Sequence, residues 1–102
     1  MYAGNRDKRI TKVSITPDRS NDPRNHLRAY AEVELLGLVE LRSIKIYDDG
    51  VKSSPDVEFA GFKRGRGDHF FYWVKDKGLS KEIMDAVAQE YIKWKQERQN
   101  SE

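Results

Sequence analysis

The chain has 102 residues, with 19 lysines and arginines against 17 aspartates and glutamates and only 37% hydrophobic residues. That apolar content fills one core and not two, so residues 1–102 read as a single domain. The lack of cysteine excludes disulfides, thiolate nucleophiles and thiolate zinc sites.

No run of about 18 apolar residues is present, nor a short apolar core behind a basic start, so neither a membrane span nor a signal peptide is expected. A cytoplasmic address follows as the expectation. Residues 1–9 are polar and contain a glycine, and they read as a frayed tail. In Ile10-Thr11-Lys12-Val13-Ser14-Ile15-Thr16, Val13 and Ile15 share a face, which predicts a first strand stopped by Pro17. The stretch from Asp18 to His26 is rich in turn formers and reads as an exposed loop.

From Leu27 the alternation is clean, with Leu27, Ala29, Ala31, Val33 and Leu35 on one side and Arg28, Tyr30, Glu32 and Glu34 on the other. Gly37 permits a tight reversal into a strand over Leu38–Tyr47. There Val39 and Leu41 keep one phase and Ile44 and Ile46 the other, so a bulge near Arg42-Ser43 is expected. Asp48-Asp49-Gly50 is a turn signal, after which Val57–Lys63 and the aromatic run His69–Val74 read as the two halves of one hairpin. Its tip, Arg64 to Asp68, is basic and glycine-rich. Ser80 is the expected N-cap of a helix with Glu82 in its first turn. Ile83, Val87, Tyr91 and Trp94 then recur at helical spacing through about Lys95, with residues 98–102 fraying.

The predicted fold is α+β: an antiparallel sheet of four or five strands with one long C-terminal amphipathic helix packed on it. A single helix covers one face of such a sheet. The other face meets solvent, a partner or a ligand.

Charge is segregated along the chain. Residues 1–28 hold seven basic and three acidic residues, residues 29–62 three and seven, residues 63–81 six and two, and residues 82–102 three and five. Clustered basic residues favour phosphates wherever they share a surface, although a solvated mixed-charge surface produces similar blocks.

Enzymatic chemistry finds little support. The two histidines, His26 in a loop and His69 at the start of an aromatic strand, have no surroundings suited to general acid or base work. Asp48-Asp49 and Glu32/Glu34 read as solvated charge in a turn and on a polar strand face. Lys63–Gly67 lacks the Gly-Lys-Ser/Thr ending of a phosphate-binding loop. No cofactor, metal or small-molecule substrate is expected, and the chain reads as a non-enzyme.

The hairpin does offer Lys63, Arg64 and Arg66 interleaved with Gly61, Gly65 and Gly67. That arrangement lets backbone approach phosphate while guanidinium groups reach its oxygens, and it makes these three basic residues the candidate nucleic-acid contacts. Of the neighbouring aromatics, either Phe70, Tyr72 and Val74 or Phe71 and Trp73 must pack under the helix. The remaining set is available for base stacking or for a dimer contact. The string Arg66–Phe71 is weakly similar to the RNA-recognition signature, but such domains need a helix between their first two strands.

Several stretches together resemble the SpoVG-type septation regulators, the stage V sporulation protein G family. They are Ile10-Thr11-Lys12-Val13, Leu27–Leu35, Leu41–Gly50 and, most sharply, Ile83-Met84-Asp85-Ala86-Val87-Ala88-Gln89-Glu90-Tyr91. The resemblance implies a cytoplasmic bacterial homodimer, joined through its sheet, that binds DNA and RNA to regulate gene expression. It implies no enzyme. Lys63 and Arg64 match the family's basic residues, and Arg66 extends them by proximity. The first loop is longer than the family's, and Gly61-Phe62 stand where the family has a Met-Pro step. The competing expectation is a non-enzymatic protein-interaction module that uses an exposed sheet face or strand edge.

Overall fold

A computed structural model describes residues 9–18, 26–64 and 67–100, and for Phe62, Lys63, Arg64, Asp68, Gln99 and Asn100 the backbone alone. The chain is α+β. Its elements are β1 (Ile10–Pro17), β2 (Leu27–Leu35), β3 (Val39–Tyr47), β4 (Asp56–Glu58), β5 (Gly61–Arg64), β6 (Gly67–Phe70) and α1 (Lys77–Asn100). Strands β1-β2-β3-β4 form an antiparallel sheet in that order, while β5 and β6 pair as a separate two-stranded ribbon. The predicted first loop lies mostly outside the described residues.

Register irregularities bring out-of-phase apolar residues to one face. In β1, Ile10 pairs with Leu35 but Lys12 with Glu34, so the extra residue Thr11 puts Ile10 in phase with Val13 and Ile15. In β3, Ala31 faces Ile44 and Val33 faces Leu41, which leaves Arg42 and Ser43 opposite a single residue. This is the expected bulge, and Ser43 takes a positive φ of 61° within it. Ile44, Ile46 and Leu41 thereby join Ala29, Ala31 and Val33 on the inner face. The reversal between β2 and β3 has Leu36 at φ 56° and Gly37 at φ 68°, a type I′ geometry, closed by the Leu38 amide donating to the Leu35 carbonyl at 2.9 Å.

Helix α1 lies on that face. Ile83, Ala86, Val87 and Tyr91 are buried against Ile10, Ala29, Ala31, Val33, Ile44 and Ile46. Each fully buried isoleucine or valine contributes about 1.5 to 3 kcal/mol relative to exposure.

The helix differs from expectation at both ends. It is capped by Asp76 and not by Ser80: the Leu79 amide donates to Asp76 Oδ1 at 3.0 Å, and the Ser80 amide to the Asp76 carbonyl at 2.9 Å. Starting a turn earlier packs Leu79 against the core, which outweighs the poor helix propensity of Gly78. Glu82 is consequently past the first turn. It accepts from Arg9 Nη2 at 2.6 Å, so Arg9 belongs to the fold and not to a frayed tail. At the other end the helix runs to Asn100, past the expected stop near Lys95, and Arg98 sits over the Trp94 ring with its guanidinium carbon 4.7 Å from the centroid.

Asp48 also departs from the reading as solvated charge. Its side chain is only 9% exposed, and Oδ2 accepts from Tyr91 Oη at 2.8 Å and from Lys95 Nζ at 2.9 Å. Burial works to raise its pKa. The hydrogen bonds from Lys95, the Gly50 amide and Tyr91, with the charge of Lys95, outweigh burial and hold the carboxyl below its ordinary range. Burial, followed by the hydrogen bond to Asp48, pushes the Tyr91 hydroxyl well above its ordinary range. Asp49 shapes the turn itself, its Oδ1 accepting from the amides of Val51 and Lys52.

Among the described residues, the sheet's other face carries no helix. Lys12, Ser14, Glu32, Glu34 and Glu40 line a shallow depression there, and Glu40 pairs with Arg42 at 3.1 Å.

Candidate nucleic-acid interface

The expected single hairpin of Val57–Lys63 with His69–Val74 divides into two parts. Val57 pairs with Ile46 and Glu58 with Lys45, which takes β4 into the main sheet. After Phe59 and Ala60 the chain leaves that sheet, and Gly61 begins β5 opposite Phe70. The Phe71 amide donates to the Ala60 carbonyl at 2.9 Å as the last rung. Beyond it the aromatic run is not strand, because its would-be partner is already paired with β3.

The base of the ribbon is fixed by close approach and by side-chain ties. A Cβ on Gly61 would lie 2.5 Å from the His69 carbonyl oxygen and 2.9 Å from the Phe70 Cα, so the two strands come together at a distance only glycine allows. Lys45 Nζ donates to the Gly61 carbonyl at 3.0 Å. The Tyr72 hydroxyl donates to the Arg42 carbonyl at 3.0 Å, so the chain leaving the ribbon is tied to the bulge of β3. The Tyr72 ring meets Phe59 edge-on at 5.9 Å, and burial raises its hydroxyl above the ordinary pKa.

Of the predicted contacts, Lys63 and Arg64 are successive residues of β5, with backbones opposite Asp68 and Gly67. Their side chains, and Arg66 entirely, lie outside what is described. The aromatic alternation survives the loss of strand. Phe70, Tyr72 and Val74 pack against the core, whereas Phe71 and Trp73 are each 69% exposed. His26 and His69 are both exposed, and no group of three or more His, Asp or Glu among the described residues is placed to hold a metal ion.

Matches to known proteins are absent: no protein-family model, curated protein or solved structure matches this chain. The side chains themselves carry the functional reading. Among the described residues no helix is long and apolar enough to cross a membrane.

Sequence reasoning counted Lys75, Lys77 and Lys81 within a basic block without singling them out. All three are exposed, at the approach to α1 and on its first turns. Two of the three acids nearest them in sequence are engaged elsewhere, while Asp85, four residues after Lys81, is exposed. Arg9 pairs with Glu82 and, at 3.5 Å, with Asp76. The Leu79 amide holds the Asp76 carboxyl below its ordinary pKa, burial opposes this, and the Arg9 charge and the Gly78 amide add to it. The signal that would have found the lysines is the position of Arg9, which only the folded chain reveals.

Proposed function

We propose that the chain is a non-enzymatic, nucleic-acid-binding regulator of bacterial gene expression, of the kind found among the SpoVG-type septation regulators it resembles. In this reading it works in the cytoplasm as a homodimer joined through its sheet. Lys63, Arg64 and Arg66 neutralise phosphates at the β5–β6 ribbon.

The observation that supports it most is the exposure of Lys75, Lys77 and Lys81 on the chain that follows that ribbon and on the first turns of α1. Lys75, Lys77 and Lys81 make no ion pair among the described residues, while Arg9 engages Asp76 and Glu82. Exposed lysines offer phosphates points of contact, and Asp76, Glu82 and Asp85 among them temper the field. Contacts of this kind position a protein on phosphates without reading bases, so weak sequence preference is expected.

The test is salt dependence. If the two ribbons of a dimer engage about six phosphates, log affinity for duplex DNA falls with log salt at a slope near −5. Replacing Lys63, Arg64 and Arg66 together by alanine flattens that slope. A folded triple variant with unchanged affinity and slope refutes the assignment.

A second reading is favoured by the tip of the β2–β3 hairpin, where Leu36, Leu38 and Val39 are exposed, Leu38 to 83%. Such a tip suits a protein partner. Failure to retain any DNA or RNA at low salt would favour it.

A further inference from the structure

Strand β4, the chain leaving the ribbon and α1 line a groove of about 170 Å³. Phe59, Phe70 and Trp73 give it three aromatic walls, and Val57, Val74 and Met84 complete an apolar lining. Apolar cavities of about 150 Å³ accept a benzene molecule, so there is room for a small organic compound. The Phe70 and Trp73 rings stand 5.4 Å apart, centroid to centroid, with planes inclined at 56°, so they form a corner and not a stack. Phe59 is buried, whereas Trp73 keeps most of its indole in water.

The charge at this groove has one sign. Among the described residues, Glu58 is the only charged residue that lines it, and it is half-buried. Its carboxylate makes no ion pair among the described residues. Lys45, opposite Glu58 in the ladder, donates instead to the Gly61 carbonyl. Lys75 and Lys81 adjoin lining residues in sequence but do not line the groove, and Asp76, Glu82 and Asp85 stand among them. An aromatic corner beside a carboxylate without a counter-ion complements a cation, because the face of an aromatic ring is the negative side of its quadrupole. The lining also restricts which cation. An ammonium with N–H groups would lose water here and find, among the lining side chains, only Glu58 and Ser80 to accept its hydrogens. A quaternary ammonium has no N–H to satisfy, and it wraps its charge in methyl groups that suit apolar walls.

We infer that this groove binds a small quaternary ammonium compound of the choline type, with its methylated nitrogen against Phe59, Phe70 and Trp73 and its charge balanced by Glu58. The site goes beyond the polynucleotide reading and does not depend on it. Tryptophan holds a cation better than the other aromatic side chains, so Trp73 carries the largest share.

The experiment compares choline with its neutral isostere dimethylbutanol, in which a carbon replaces the charged nitrogen. Each is titrated at constant ionic strength into the isotope-labelled full chain, and the indole N–H signals of its two tryptophans are followed by NMR. Trp94→Phe assigns the Trp73 signal. Choline should move that signal and the backbone amides of Val74 and Met84 saturably. The isostere should bind about 2- to 30-fold more weakly. Glu58→Gln, which keeps the shape of the side chain, should weaken choline several-fold and leave the isostere unchanged. Trp73→Ala should remove choline binding, read at the Val74 and Met84 amides, and Trp73→Phe should restore part of it. Thermal melts verify that the variants fold, and if Trp73→Ala does not, the Glu58→Gln comparison decides alone.

Equal affinity for choline and its isostere overturns the inference, since it reduces the groove to an apolar slot. Choline binding untouched by Glu58→Gln overturns it too, as does the absence of any saturable shift. A trimethyl-lysine peptide that binds more tightly than choline replaces the small compound with a modified protein and overturns the stated occupant. Signals that move with protein concentration alone place a second copy in the groove and likewise overturn it. None of these results bears on the salt dependence of polynucleotide binding, so the two readings fail separately.

Discussion

The two hairpins of this molecule use the same antiparallel ladder and meet different fates. In the first, strands β2 and β3 of nine residues each place Ala29, Ala31, Val33, Ile44 and Ile46 under α1 with no exposure at all. In the second, strands β5 and β6 of four residues each pair, among the described residues, only with one another, and the chain leaving them turns Phe71 and Trp73 outward. A two-stranded ribbon has too little area to be stable alone. This one is held at its base by the close approach at Gly61, by Lys45 and by Tyr72. The contrast teaches a division of labour: burial secures the first hairpin, while the chain leaving the second keeps Phe71 and Trp73 in water.

The harshest way to test that division is to damage the secured hairpin. Ile46→Ala removes a side chain with no exposure and is expected to cost about 2 to 5 kcal/mol. Urea unfolding followed by circular dichroism should show it as a lower midpoint, and polynucleotide binding should be lost only where the fold is lost. A milder change strikes the other hairpin. Gly61→Ala puts a methyl group against backbone atoms that cannot rotate aside, at an expected cost of about 1 to 3 kcal/mol. Its binding should weaken even at temperatures where melting curves show the chain folded. Binding that survives this variant would mean that the ribbon is not the contact.

The smallest effect should be favourable. Leu36 occupies a left-handed conformation in the β2–β3 turn, where asparagine before glycine is preferred. Leu36→Asn is expected to raise stability by about 1 kcal/mol or less, read as a higher melting temperature, without altering polynucleotide affinity. A loss of affinity would break the comparison, because it would give the first hairpin a share in binding.

Much of the fold was legible because the first hairpin is governed by local pattern. The alternation from Ala29 to Leu35 and the phase slip across Arg42-Ser43 specify which residues face the helix, and the structure has both, while an irregularity at Arg28 takes Leu27 out of phase and out of the core. The second hairpin misled because long-range pairing outranks local pattern. Val57–Lys63 reads as one strand, yet its first part is taken by β3 and its second by β6, so Phe71–Val74 has nothing to pair with. The helix start misled for a related reason: the gain from packing Leu79 is invisible until the core exists. Asp48 was passed over because nothing near it in sequence announces that Tyr91 and Lys95 will meet it.

The outer margin of β1 has its own consequence. No described strand pairs with that side, and an open row of amides and carbonyls is a template on which another chain can grow. Here the row is irregular at Thr11, carries the charge of Lys12, and ends at Pro17, which has no amide hydrogen to offer. An incoming strand thus finds uninterrupted partners only from Val13 to Thr16, too short a stretch to seed fibrillar stacking and long enough for a brief, reversible addition.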